Sequence, residues 1–225
     1  MENTGLIILD FSYLIAAILF VIGLKLMSHP ESSKRGNLYA ASGMVLAMLT
    51  TLILHKDPHG NNIPLANIIV VITVIAIGTI TGAIIARRIK MTAMPQLVSF
   101  YNATGGAASA LVALIEFSNP ENSSILVTVL GLVIGSLTFS GSMGAYLKLD
   151  GKMGDTSNKI FPYINITMLI IVLISTIYLL VVKDPFMDRE VIVYILLAVS
   201  LVYGVFFVIP IGGADMPVVI SLLNS

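Results

Sequence analysis

The chain has 225 residues, 57% hydrophobic and only 11% charged, and its twelve basic and twelve acidic side chains balance to zero net charge. Mean hydropathy is +0.99, whereas a soluble domain carries about twice this charged fraction. The charge balance gives no sign of a nucleic-acid partner or a strong steering field, and the absence of cysteine excludes disulfides, thiolate metal sites and cysteine nucleophiles.

The N-terminus begins Met1-Glu2 and carries Asp10 within its first apolar run. It lacks the basic start and small-residue cleavage site of a secretory signal, so this run reads as a permanent span. Crossing about 30 Å of hydrocarbon takes roughly 20 mostly apolar helical residues. Runs of that kind fall at 6–27, 38–54, 64–86, 97–115, 124–147, 160–182 and 191–211. None shows the strict polar–apolar alternation of a membrane β-barrel. An eighth run starts after Pro217, and the residues from Met216 to Ser225 reach only about half-way across as a helix. The expected fold is therefore an all-α membrane protein. Residues 1–225 would form one polytopic transmembrane helix bundle, with seven complete spans and a truncated eighth.

Basic residues give an orientation. Lys25, Lys34, Arg35, Arg87, Arg88, Lys90, Lys148, Lys152 and Lys159 follow spans one, three and five, whereas only Lys56, Lys183 and Arg189 follow spans two, four and six. The positive-inside rule then places the N-terminus outside and the turn after span seven in the cytoplasm. Acidic residues Glu116, Glu121, Asp184, Asp188 and Glu190 lie on the expected outer side.

Small residues mark candidate packing faces, because lipid supplies no hydrophobic force between helices and close backbone contact must serve instead. These are Gly78 with Gly82, Gly131 with Gly135 (continued by Ser136, Ser140, Gly141 and Gly144), and the run Gly105-Gly106-Ala107-Ala108-Ser109. Polar residues at membrane depth are few, and such groups face a bundle interior or a wet path. Asn102 and Ser109 share one face of span four; Ser140 and Ser142 lie in span five on opposite faces. Asp10, Glu116, Asn165 and Thr167 fall near the expected interfaces. Asp215, in Ile211-Gly-Gly-Ala-Asp-Met-Pro217, suits either an N-cap for the eighth helix or chemistry. Asn102 and Asn224 suit either interhelical ties or a functional path. His29, His55 and His59 lie in or beside loops without metal-site spacing. No phosphate loop, dinucleotide fingerprint or nucleophile–base pair is visible.

The stretch Pro210-Ile-Gly-Gly-Ala-Asp-Met-Pro-Val-Val-Ile-Ser-Leu-Leu-Asn-Ser225 closely resembles the membrane domain of the β subunit of proton-translocating NAD(P) transhydrogenase. Lys90-Met-Thr-Ala-Met-Pro-Gln-Leu-Val98, Leu137-Thr-Phe-Ser-Gly-Ser142 and Tyr13-Leu-Ile-Ala-Ala-Ile-Leu-Phe20 agree with it in register. The resemblance implies coupling of hydride transfer between NAD(H) and NADP(H) to proton movement. It also implies nine membrane helices, an outside N-terminus in the cell (inner) membrane, and a cytoplasmic NADP(H) domain beyond residue 225. NAD(H) would be bound by a partner alpha subunit that supplies further membrane helices, and the complete enzyme would be a dimer. Within this chain the implied proton-path residues are Asn102, Ser142, Asp215 and Asn224, with no cofactor, metal or catalytic residue for hydride transfer. Asn102 stands where many members carry a histidine; since asparagine cannot titrate, the relay would be a histidine on a helix of the alpha subunit. The competing expectations are an ion channel or secondary transporter and a non-catalytic structural membrane fragment. These residues alone are expected to be inactive.

Overall fold

The computed structural model describes residues 2–29, 31–56, 60–118, 124–154, 159–182 and 187–223. His59, Glu121, Lys183, Asp184 and Asn224, singled out from the sequence, lie outside them. Among the described residues eight helices follow in order: α1 Glu2–Met27, α2 Ser33–Leu54, α3 Leu65–Arg88, α4 Met94–Ser118, α5 Ile125–Leu149, α6 Phe161–Val181, α7 Arg189–Val208 and α8 Met216–Leu223. Single 3-10 turns, Met91–Ala93 and Gly213–Asp215, lead into α4 and α8. Among the described residues, α1 to α7 are long and apolar enough to cross a membrane, as the hydropathy predicts.

The helix ends differ from the apolar runs by a few residues for local reasons. Helix hydrogen bonding continues past the hydrocarbon edge, so α2 starts at Ser33 rather than 38. Proline lacks an N–H and suits a helix start: Pro162 opens α6, and Pro95 and Pro217 fall in the first turns of α4 and α8. Pro210 and the following glycines end α7 at Val208, short of the expected 211.

Residues 1–88 and 89–225 form two compact units. In the first, α1 and α2 make an antiparallel pair crossed at glycines. A Cβ placed on Gly36 would lie 2.6 Å from the Gly23 carbonyl oxygen, and one on Gly43 would lie 3.0 Å from that of Ala16. The Tyr13 and Thr51 hydroxyls bond at 2.8 Å farther along the pair. The sequence reading did not single out these glycines. In contrast, α3 buries no residue, and nothing lies within 4 Å of a Cβ built on Gly78. The Gly78 face thus has the shape for packing but is uncovered by described residues, because small-residue spacing permits close approach without supplying a neighbour.

The second unit is organised around α5, which is buried on several faces. Its antiparallel neighbour α4 crosses where Gly106 meets Gly135. A Cβ on Gly106 would lie 2.7 Å from the Gly135 carbonyl oxygen, and one on Gly135 would lie 2.7 Å from the Ala110 nitrogen. On another face α7 runs parallel to α5, with Gly204 against the Leu137 carbonyl and the Gly141 nitrogen. Helix α6 lies along α7, the rings of Phe161 and Phe206 being 6.4 Å apart. Val129, Leu132, Val172, Leu179, Val193 and Leu196 fill one apolar core. Ala145, Val208, Met216, Val219 and Ile220 form a second, which seats α8 on α5 and α7.

Overpacking a tight contact costs about 1–3 kcal/mol. Gly106→Leu should therefore lower the unfolding midpoint in mixed micelles clearly. Gly78→Leu, in open space, should stay within about 0.5 kcal/mol of the parent.

Candidate functional site

One face of α4 carries Gln96, Ser99, Asn102 and Ser109, spaced by three or seven residues and thus aligned along the helix. Each donates a hydrogen bond to α5. Gln96 Nε2 reaches the Leu149 carbonyl at 2.7 Å, and Ser99 Oγ reaches the Ser142 carbonyl at 2.6 Å. Asn102 Nδ2 reaches Ser142 Oγ at 2.9 Å, and Ser109 Oγ reaches the Gly131 carbonyl at 3.3 Å. The close glycine crossing brings the two backbones near enough for these short side chains to span the gap. Two of the four proposed path residues, Asn102 and Ser142, are therefore in direct contact.

Ser142 and Ser99 are fully buried, and Asn102 is half-buried. A hydroxyl accepting one hydrogen bond still has its own proton to donate, so Ser142 can pass an interaction onward from Asn102. Neither side chain titrates. Ser140 faces the other way, against Gly204 of α7, and donates to the Ser136 carbonyl at 3.0 Å. The expectation of opposite faces for Ser140 and Ser142 holds. One turn before Ser142, Thr138 Oγ1 donates to the Leu223 carbonyl at 3.4 Å. The end of α8 thus sits beside the Asn102–Ser142 pair, while Asn224 itself lies outside the described residues.

Asp215 is the last residue of the 3-10 turn before α8. Its backbone N–H bonds to the Gly212 carbonyl at 3.0 Å, and its side chain is exposed. It shares no hydrogen bond with the Asn102–Ser142 pair among the described residues; its turn lies against the C-terminal part of α5. Its turn is held by a residue that the sequence reading counted only for orientation. Lys148, in that last turn, is 6% exposed, and its Nζ donates to the carbonyls of Ile209 at 2.6 Å and Ile211 at 2.5 Å. Burying an unpaired ammonium costs several kcal/mol. Carbonyls left over at a helix C-terminus carry the partial negative charge that offsets it.

The remaining sequence candidates are scattered. Asp10, His29, His55 and Thr167 are exposed. Asn165 is half-buried, with an unpartnered Oδ1. Glu116 is half-buried and lines a cavity of about 280 Å³ with Thr128, Arg189 and Glu190. Among the described residues no group of acidic, histidine or cysteine side chains could hold a metal. Reasoning from sequence missed Gln96, Ser99 and Thr138, although their spacing from Asn102 and Ser142 was a usable signal. Lys148 gave none, since its partners are backbone atoms some 60 residues away.

These features define a multi-pass membrane protein with a polar but uncharged seam between two helices. Residues 9–225 match the family model described as NAD(P) transhydrogenase beta subunit, and the chain belongs to that family. NAD(P) transhydrogenase subunit beta of Rhodospirillum rubrum is 34% identical over 225 aligned residues, covering 95% of this chain and 46% of the relative. The protein of the same name from R. rubrum strain ATCC 11170 gives the same figures. The chain thus spans about half the length of the curated relatives it matches.

Interhelical side-chain hydrogen bonds in membranes contribute about 0.6 kcal/mol on average, up to roughly 2. Ser142→Ala should therefore cost no more than about 2 kcal/mol of stability in a micelle unfolding titration. Gly135→Val, which pushes the helices apart, should cost more.

Proposed function

We propose that these residues are the proton-conducting membrane part of an NAD(P) transhydrogenase, in which hydride transfer between NAD(H) and NADP(H) is coupled to proton translocation. The observation that carries this reading is the Asn102–Ser142 bond of 2.9 Å. It joins, at membrane depth, two residues that the resemblance assigns to one path. The family match over residues 9–225 supports the resemblance on which that assignment rests.

In this reading water enters along the α4–α5 seam, where Asn102 and Ser142 orient it, and Asn224 continues the chain. Because none of these three titrates, the proton is accepted by a histidine on a membrane helix of the alpha subunit. Asp215, exposed on its turn, reports protonation to the NADP(H) domain, and coupling arises because protonation favours one of two conformations. NADP(H) and NAD(H) are bound outside residues 1–225, by the nucleotide domain of this subunit and by the alpha subunit. The assembly is a dimer in the cell (inner) membrane with the N-terminus outside. Residues 1–225 alone carry no hydride chemistry.

A structural reading has an observation of its own: every polar side chain of the α4 ladder is bonded to α5, as simple ties would be. Asn102→Leu in the assembled enzyme separates the two. Lost stability with normal proton movement favours ties; normal stability with lost proton movement favours the path.

In the full-length enzyme in proteoliposomes, Asp215→Asn should uncouple proton uptake from hydride transfer, lowering protons moved per hydride by about ten-fold. Unchanged coupling rejects the role of Asp215. The orientation is checked separately, since the chain has no cysteine of its own. A thiol from Lys152→Cys should react with an impermeant maleimide only from the cytoplasmic side, and one from Ser118→Cys only from the outside.

A further inference from the structure

We propose that Lys148 is a positioning residue for Asp215: it fixes the turn between α7 and α8 and so sets where that carboxylate stands relative to the Asn102–Ser142 pair. The proposal rests on the reading of Asp215 given above.

A lysine near a membrane surface ordinarily extends its ammonium to water. Lys148 does the opposite. It is 6% exposed, and its Nζ turns inward to the carbonyls of Ile209 and Ile211. Those residues flank Pro210, where the helix can no longer continue and carbonyls are left without intrahelical donors. The negative end of α7 and a point charge from α5 thus meet at the start of the turn. Ile211 is four residues before Asp215 in the chain, and the segment between is Gly212, Gly213 and Ala214, which has little side chain with which to hold a position of its own. On the far side of Asp215, Met216 is fully buried against the cluster that contains Ala145 and Val208. The carboxylate therefore stands between two anchors, a charge-assisted hydrogen-bonded one before it and an apolar one after it, and both anchors involve α5.

The same helix carries Ser142. From Ser142 to Lys148 is six residues, roughly 9 Å of α-helix. A change at the Asn102–Ser142 pair that moves α5 is thus carried to the turn through one rigid element and one charge-assisted contact. A hydroxyl or amide at position 148 would be too short for both carbonyls. Arginine has a donor fork that can serve two acceptors.

The test uses the full-length enzyme with its alpha subunit in proteoliposomes. Two readouts are taken: protons moved per hydride, and the rate of maleimide reaction at a thiol introduced by Ala214→Cys. Lys148→Met keeps the apolar stem and removes the donors. It should raise the labelling rate about five-fold by freeing the turn and lower protons per hydride about ten-fold. Lys148→Arg should return both values to within about two-fold of the parent. Labelling and coupling both unchanged in Lys148→Met overturn the proposal. So does a loss of stability with normal protons per hydride in the assembled fraction, because a merely structural lysine would behave that way. If Lys148→Met does not assemble, Lys148→Gln is measured on the same readouts and decided by the same outcomes. Asp215→Asn run in parallel separates the two readings. Normal coupling there removes the role of Asp215, while faster labelling in Lys148→Met would still establish that Lys148 holds the turn. Uncoupling in Asp215→Asn with none in Lys148→Met removes the positioning role of Lys148 alone.

Discussion

The close crossing of α4 and α5 at Gly106 and Gly135 is the contact on which the second unit depends. In lipid the apolar surfaces of two helices gain nothing by leaving solvent, so association rests on dispersion and hydrogen bonds, both of which need short distances. With a carbonyl oxygen 2.7 Å from where a Cβ would sit, no larger residue fits at Gly106 without moving a backbone. Side chains as short as serine and asparagine then reach across, and the seam becomes polar. The same device recurs at Gly204, which admits α7 to another face of α5. An apolar helix thereby comes to be buried on several sides while still carrying hydroxyls.

The polar seam is also uncharged, which bears on what it can do. Ser99 and Asn102 each donate to Ser142, to its carbonyl and its hydroxyl, and uncharged groups so bonded can sit at membrane depth without the cost that an ionised side chain would incur. A proton moving along them needs a titratable group from elsewhere. Charge enters this unit at its ends: Glu116, Arg189 and Glu190 around a cavity at one, and Lys148 and Asp215 at the other. Of these, Lys148 is buried and bonded whereas Asp215 is exposed, an arrangement suited to one residue holding a turn and the other meeting a partner.

The seven long helices were legible because hydropathy and length act locally, and each run declares itself without reference to its neighbours. Gly135 and Gly106 were legible as small residues on apolar helices, yet Gly78, equally conspicuous, meets nothing within its reach, and Gly23, Gly36 and Gly43 went unremarked although they carry the α1–α2 crossing. Spacing shows where a helix surface is shallow and not whether another helix fills it. Asn102, Ser142 and Asp215 came from rarity and resemblance, Ser99 and Gln96 only from seeing what α5 offers opposite them.

The order of residues alone specifies the membrane-crossing elements, the polar residues placed at depth within them, and the family. Each of these follows from composition along a single segment or from residues kept in a fixed order. Which of those residues touch depends on how the helices pack. Asn102 meets Ser142, while Lys148 meets the carbonyls of Ile209 and Ile211, just ahead of the turn that carries Asp215. Those contacts join atoms some 40 to 60 residues apart, and in two of them the partner is a backbone carbonyl, a group every residue has. Nothing in the order of side chains marks one carbonyl from another until a helix end leaves it unbonded and a lysine is brought within reach.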